Sequence, residues 1–443
     1  VEQFRLPKID MPHLQLPGSI QDVLAEARTR LAHRPKLLQL FMNCFPNTLE
    51  TTTKLLEDGT TFVITGDIPA MWLRDSVEQV MHYVPFAKED AELQRIINGL
   101  IKLHMRNIAI DPYANAFNEM ANDWHWSTDD KTDMSPWVWE RKFELDSICF
   151  SMRLAFAYWK ETGRADIFDA NFKTAMRVTV DLWKREQRHL ENTAYRFERD
   201  NGIRHDTLQN DGLGMPVNYT GMVWSAFRPS DDACDFHYNI PDNMFAVVTL
   251  RQMREIAEFV FRDLSFEKEM AKLEGEIDYG IQLYGIYRHP EFGPIYAYET
   301  DGFGNYCLMD DAGTPGLISI PYLGYVNGDD PIYQNTRRFA LSKENPFYYE
   351  GKVARGIGSP HTPPNYVWHM ALSMQGLTAS SDEEKIAMID LLESTDADTG
   401  YMHEGFHADD PSVFTRKWFA WSNSLFSQLV YKAMKEGLLD ERS

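Results

Sequence analysis

The sequence predicts an all-α protein, a toroid of helical hairpins with its loops collected at one end, although an irregular helical bundle would give the same pattern. Three observations carry that expectation. Apolar residues recur at three- and four-residue spacing through most of the chain, and long connections rich in Gly, Pro, Asn, Asp and Trp separate the periodic stretches. No alternation of strand and helix of the kind that builds a parallel sheet occurs. No linker or composition break divides the 443 residues, so 1–443 is expected to be a single domain of about twelve helices.

Taken in order, one apolar stripe each predicts helices over residues 20–31, 92–110, 146–160, 168–183, 241–260, 266–284 and 371–377. Short β-like runs at 61–65, 195–199 and 294–298, each flanked by Gly, Asp or Asn, read as hairpins decorating loops. In the segment Thr65 to Ser76, Pro69 suits a first helical turn and Asp67 its cap. The connections 111–140, 200–242, 299–321, 347–364 and 394–411 are long, and structureless loops of that length are uncommon unless they carry function. Chemistry is therefore sought there.

Composition narrows the classes of function. With 44 basic and 66 acidic side chains the net charge is −22, which argues against nucleic-acid binding, since phosphate backbones are held by Lys and Arg and no basic run is present. Charges such as Arg74, Asp75 and Glu78 interrupt every apolar run below the ~18 residues a membrane helix needs. The segment Val1 to Pro7 has neither a starting Met nor an apolar signal core, so the expectation is open between a cytoplasmic protein and an exported one whose leader has been removed. Cys44, Cys149, Cys234 and Cys307 lie far apart and are expected as buried free thiols. Aromatic residues make up 13% of the chain; beside many carboxylates this suits a sugar site, where pyranose faces stack on rings and hydroxyls bond carboxylates and amides.

Five segments are candidates for chemistry. Trp72, Arg74 and Asp75 place two opposite charges next to an indole, which neither capping nor core packing accounts for. In Trp224 to Cys234 the pair Asp231-Asp232 follows a Pro-Ser turn among Trp224, Phe227, Arg228 and Tyr238. One carboxyl desolvated there would stay protonated while Arg228 keeps its neighbour ionised, which is how a general acid is made; the pair is also suited to a turn or cap. Trp137 to Arg141 fits a sugar platform or a helix start, and His361 a ligand contact or a helix cap.

The string His403-Glu404-Gly405-Phe406-His407 matches the zinc-peptidase pattern, in which two His on one helix face bind the metal. Here it follows Asp396 to Gly400, contains Gly405 and runs into Asp409-Asp410-Pro411, so a loop is expected and no metal or other cofactor. Without metal, Glu404 is suited to act as a base on water. An acid from the Asp231 loop and a base at Glu404 complete the minimum set for glycoside hydrolysis. A zinc peptidase and a sugar-binding protein without catalysis are the alternatives. No serine-esterase elbow, P-loop or dinucleotide fingerprint is present. Asn218-Tyr219-Thr220 is a glycosylation sequon.

At Thr65 to Ser76, Asp111 to Asn115, Trp139 to Lys142, Asn210 to Gly212, Trp224 to Asp232 and His403 to Pro411, in order over roughly Leu37 to Val430, the chain resembles the exo-α-1,6-mannosidases of glycoside hydrolase family 125. The resemblance implies an (α/α)6 barrel of six helical hairpins with short β-hairpins in its loops. It also implies metal-independent, inverting removal of terminal mannose from α-1,6-linked mannosides such as N-glycan or mannan fragments, by a monomer. The family's acid falls on Asp231 and its base on Glu404. Trp72, Arg74, Asp75, Tyr113, Asn115, Glu140, Arg141, Asn210, Asp232 and His361 become candidates for holding the terminal mannose of an oligosaccharide partner.

Overall fold

The computed structural model describes residues 11, 12 and 14–441; the Val1 to Pro7 segment that bears on a leader lies outside them. Twelve helices of nine or more residues are found among the described residues, and all seven stretches predicted from apolar periodicity are helical. No helix of the described residues is long and apolar enough to cross a membrane. The chain divides into two compact units.

The larger unit comprises residues 72–74 and 101–345. Its central element is the helix Ile240–Phe259, opened by the Asn239 side chain, which accepts from the Asp242 N–H at 3.0 Å, and by Pro241 in the first turn. Every residue from Ile240 to Leu250 is buried, as expected of a helix surrounded on all sides. Leu145–Thr162 packs on one flank, with Phe150 edge-on to Phe245 at 4.9 Å, and Leu264–Tyr284 on another. Asp169 and Asp263 cap the helices that follow them by accepting from Phe172 and Phe266, and Gly163 ends Leu145–Thr162 at a φ of 71°.

The smaller unit comprises the described residues of 1–71, 75–100 and 346–443. Here His369–Leu377, Asp382–Ser394 and Ala420–Lys435 pack on one another, and Pro35–Cys44 packs on the last two. Ser381 and Glu384 open Asp382–Ser394, the Ser381 hydroxyl accepting from the Glu384 N–H at 3.2 Å.

Several expectations need correction. The long connections are not structureless: Ala116–Phe117 pairs with Val138–Glu140, Glu299–Thr300 lies between Tyr238–Asn239 and Tyr306–Cys307, and Gly405–His407 lies between Tyr366–Trp368 and Asp410–Phe414. Of the three predicted β runs, 61–65 and 294–298 form hairpins, whereas 195–199 makes only an isolated bridge from Glu198 to Lys131. Its Phe197 N–H is taken instead by the Gly212 carbonyl, so alternation there found no partner strand. Near Pro69 the helix begins only at Leu73, and Asp67 caps nothing, since its carboxylate is engaged by Arg416. Cys44, Cys149 and Cys234 are buried free thiols; Cys307 is half-buried.

Candidate active site

In the larger unit, carboxylates converge on one guanidinium. The Leu73 N–H donates to the Asn115 carbonyl at 3.0 Å, which fixes the entry to the helix Leu73–Met81 and presents Arg74 from its first turn. Arg74 is 3% exposed. Its Nη1 donates to Glu144 Oε2 at 2.7 Å and Asp146 Oδ2 at 3.2 Å, and its Nη2 to Asp231 Oδ1 at 3.2 Å. Glu144 and Asp146 stand where Leu145–Thr162 begins, a position whose free N–H groups and dipole favour negative charge. Both are nonetheless fully buried. Burial pushes Glu144 well above the usual carboxylate range against the pull of Arg74, with the adjacent Asp231 adding to the rise. Burial likewise lifts Asp146 to about 6, again against Arg74. Asp242, equally buried, is raised by burial and by Asp146, and both its oxygens lack a hydrogen-bond partner.

Asp231 differs from its neighbours. It sits at a φ of 68° in a turn closed by its own N–H on the Arg228 carbonyl at 2.9 Å, and its side chain is 26% exposed. A left-handed non-glycine residue is unusual, and here it stands where the carboxyl bonds Arg74 while staying partly open to solvent. The Asp231 carbonyl accepts from Lys142 Nζ at 2.7 Å, and Lys142 also pairs with Asp206. Burial opposes both ions, yet Glu140 and Asp206 raise Lys142, while Lys142 and Arg199 hold Asp206 below its ordinary value. Asn115 ties the elements together: its Nδ2 donates to Glu140 at 3.0 Å and Glu144 at 3.3 Å, and its Oδ1 accepts from the Lys142 N–H at 3.0 Å. Arg199, also 4% exposed or less, donates to Glu140 at 2.8 Å, to Asp206, and bidentately to Asp130 at 2.6 and 2.7 Å. Asp130 thereby pins the loop between Asn118 and Trp137.

In the smaller unit, Glu404 directly precedes the central strand Gly405–His407. It is 7% exposed, and its Oε2 accepts from the Thr415 hydroxyl at 2.9 Å. Arg416 lies 4.0 Å from Oε1 and is held by both oxygens of Asp67. Burial would lower Arg416, but Asp67, Glu404 and Asp75 keep it charged. Asp75 accepts from Thr65 Oγ1 at 2.7 Å.

The zinc pattern fails on geometry. Glu404 to His407 lie in and beside a strand, so His403 and His407 are separated by roughly 13 Å of extended chain instead of one helical turn. The two His403 nitrogens are engaged by the Arg416 carbonyl at 2.9 Å and the Thr399 hydroxyl at 2.9 Å, and burial lowers the ring to about 4. Among the described residues, the group with metal-ligand character is Asp235, Glu299 and Cys307, and Arg228 occupies it, donating to Glu299 at 2.5 and 3.0 Å. That corrects a second expectation: the cation beside Asp231 is Arg74, and Arg228 serves Glu299 and Asp235.

Of the residues singled out from sequence, Arg74, Asn115, Glu140 and Asp231 share one bonded network. Tyr113 and Arg141 form a neighbouring one: the Tyr113 hydroxyl donates to Glu186 at 2.6 Å, its ring stacks on Tyr195 at 4.9 Å, and Arg141 lies over both rings while bonding Asp111 at 2.6 Å. Trp72 is buried two residues before Arg74. Asp232 is 1% exposed, with His205 at 3.8 Å. Asn210 is exposed in a left-handed turn, its amide donating to Gly214 O at 2.8 Å. His361 is exposed, edge-on to Trp368; the element after it is the strand Tyr366–Trp368, so it caps no helix. Trp139 likewise begins no helix but lies in the strand Val138–Glu140. Sequence reasoning missed Lys142, Glu144, Asp146, Arg199, Asp206, Thr415 and Arg416. The acids Glu144 and Asp146 at one helix start, close after Glu140, were the available signal.

Comparison with known proteins agrees across most of the chain. A family model described as metal-independent α-mannosidase, glycoside hydrolase family 125, matches residues 34–431. The Meiotically up-regulated gene 157 protein of Schizosaccharomyces pombe is 37% identical over 437 residues, covering 93% of this chain and 85% of the relative. A solved Streptococcus pneumoniae structure, from a family of widely distributed metal-independent α-mannosidases and in a non-productive complex with α-1,6-mannobiose, is 46% identical. It covers 94% of this chain and 98% of its own, at a TM-score of 0.92. A glucoamylase from Saccharomycopsis fibuligera, 11% identical with a TM-score of 0.51 over 99% of this chain and 98% of its own, shares the fold alone. The fold class is all-α, an (α/α)6 barrel with short β-hairpins, as expected from the sequence.

Proposed function

The chain belongs to glycoside hydrolase family 125, the metal-independent α-mannosidases, and from that premise we propose that it is an exo-acting, inverting α-1,6-mannosidase. It is a glycoside hydrolase acting on α-mannosides. The proposal adds that it releases the terminal non-reducing mannose of α-1,6-linked mannosides, including N-glycan or mannan fragments. The observation that carries the linkage is the 46% identity to a structure holding α-1,6-mannobiose.

In this reading Asp231 donates a proton to the glycosidic oxygen, and the electron pair of the breaking C1–O bond stays on that oxygen. Water attacks C1 from the opposite ring face and Glu404 takes its proton. The choice of Asp231 over Asp232 is supported by exposure, since Asp231 is the cluster carboxyl that reaches solvent while Asp232 is 1% exposed. Glu404 as base is supported by geometry: Thr415 holds one carboxyl oxygen by a hydrogen bond and Arg416 lies 4.0 Å from the other. Asn115, Glu140, Tyr113, Arg141, Trp72, Arg74, Asp75, Asn210, Asp232 and His361 are proposed to hold or frame the terminal mannose. The family match runs through both units, which supports one catalytic domain, and one chain carries both carboxyls, which supports a monomer.

The test is a proton NMR time course on α-1,6-mannobiose. Initial release of β-mannose is expected. Initial α-mannose would overturn inversion, and no mannose would overturn the linkage.

A further inference from the structure

The reaction proposed above needs Asp231 protonated at the start of each turnover, yet Asp231 sits 3.2 Å from a guanidinium, a setting that by itself strips protons from a carboxyl. The neighbours supply the opposite influence. Arg74 is shared by Asp231, Glu144 and Asp146, and Glu144 and Asp146 have side chains with no exposure at all. Two buried carboxylates and a third at the mouth, around a single guanidinium, leave uncompensated negative charge where water does not reach. Proteins resolve such crowding by retaining a proton, as two carboxyls in contact do. Asp242, buried with neither oxygen hydrogen-bonded, adds to the same demand.

From this geometry, and resting on the acid role assigned to Asp231, we propose that Glu144 is a positioning residue that shares one proton with Asp231 and so keeps the general acid loaded at neutral pH. Glu144 is suited to this by the bonds that hold it. Its Oε2 takes Arg74 at 2.7 Å and the Ser147 hydroxyl at 3.2 Å, and its Oε1 takes Asn115 at 3.3 Å, so the carboxyl is fixed beside Asp231 and closed to solvent. The groups facing the pair are Arg74 from Leu73–Met81, Asp146 and Ser147 from Leu145–Thr162, and Asn115. Lys142 lies on the Asp231 carbonyl, Asp206 and Glu140 stand beyond it, and behind them the Tyr195 hydroxyl accepts from the Phe143 N–H at 3.0 Å. Burial raises the proton affinity of Glu144 against the pull of Arg74, and the neighbouring Asp231 adds to the rise. The shared proton moves to the outward Asp231 oxygen, leaves with the alcohol product, and is replaced from water, while Glu144 never touches substrate.

The test is the pH profile of kcat/KM for Glu144→Gln on two substrates. α-1,6-Mannobiose has a leaving group that must be protonated; 2,4-dinitrophenyl α-mannoside has one that leaves as the anion. In the variant Asp231 faces Arg74 without the Glu144 carboxyl beside it, so the alkaline limb on mannobiose should move down by roughly 1–3 pH units. The loss of rate at pH 7 should be at least about tenfold larger on mannobiose than on the dinitrophenyl substrate. Glu144→Asp should restore the limb toward that of the unmodified enzyme. An unmoved limb, or equal losses on both substrates, would overturn the proposal while leaving the mannosidase reading intact. Neutron diffraction on the unmodified protein at neutral pH decides the matter independently of any variant. A deuteron between the Glu144 and Asp231 carboxyls is expected, and two bare carboxylates there would overturn the shared proton even if the substrate assignment proved wrong.

Discussion

Replacing Arg74 by Met tests the electrostatic account of the cluster most directly. The guanidinium has carboxylate oxygens at 2.7, 3.2 and 3.2 Å. At an effective dielectric near 20 each full ion pair contributes about 4 kcal/mol, and burying a guanidinium costs several kcal/mol in return. Removing one member of such a set costs about 3–5 kcal/mol when its partners are ionised. The partners are not always ionised. Burial lifts Asp146 to about 6 and pushes Glu144 well above the ordinary carboxylate range. An acid whose folded value lies above its unfolded one loses stability as pH rises between the two. Over the interval from 3.8 to about 6 the penalty for Asp146 reaches about 3 kcal/mol.

Arg74 limits that penalty by accommodating whichever carboxylates ionise, so its loss should matter most at high pH. The expected cost of Arg74→Met is about 3–5 kcal/mol at pH 8 and about 1–2 kcal/mol at pH 5, where mainly hydrogen bonds remain to be lost. The assay is chemical denaturation of variant and unmodified protein at both pH values, followed by tryptophan fluorescence. A destabilisation equal at pH 5 and pH 8 would refute the reasoning, because it would assign Arg74 a packing role that ignores the charge of its neighbours.

Three further outcomes are expected. Asp231→Asn and Glu404→Gln should each lower turnover of α-1,6-mannobiose by roughly 10²–10⁴-fold while calorimetry still detects binding; full activity in both would remove them from the mechanism. Asp130→Ala should leave the fold intact but release the loop from Arg199, seen as new cleavage between Asn118 and Trp137 in limited proteolysis; an unchanged digestion pattern would show that the remaining backbone bonds suffice. Treatment with a strong chelator followed by desalting should leave mannosidase activity unaltered, as the family description implies, whereas loss restored by zinc would contradict it.

The seven helices read from the sequence were legible because each carries a 3.6-residue apolar stripe, a signal contained within a few consecutive turns of chain. The alternating run at 195–199 misled because a strand exists only if another edge offers its N–H and C=O groups, and that depends on residues far away in sequence. The same distinction divides the candidate site. Glu404, Asp231 and the family they point to could be read from ordered local motifs. The rejection of the zinc pattern also came from local signals, Gly405 and the Asp-Pro that follows.

What the chain could not disclose by itself was which cation serves which acid. Arg228 stands three residues from Asp231 yet turns to Glu299, while Arg74, more than 150 residues away, reaches it. Glu144 and Asp146 read as an ordinary acidic helix start until folding removes their water and places them around one guanidinium. Local sequence sets backbone preference and apolar pattern, which act over a few residues. Protonation is decided by burial and by charges within a few ångströms, and those distances exist only once the tertiary structure has formed.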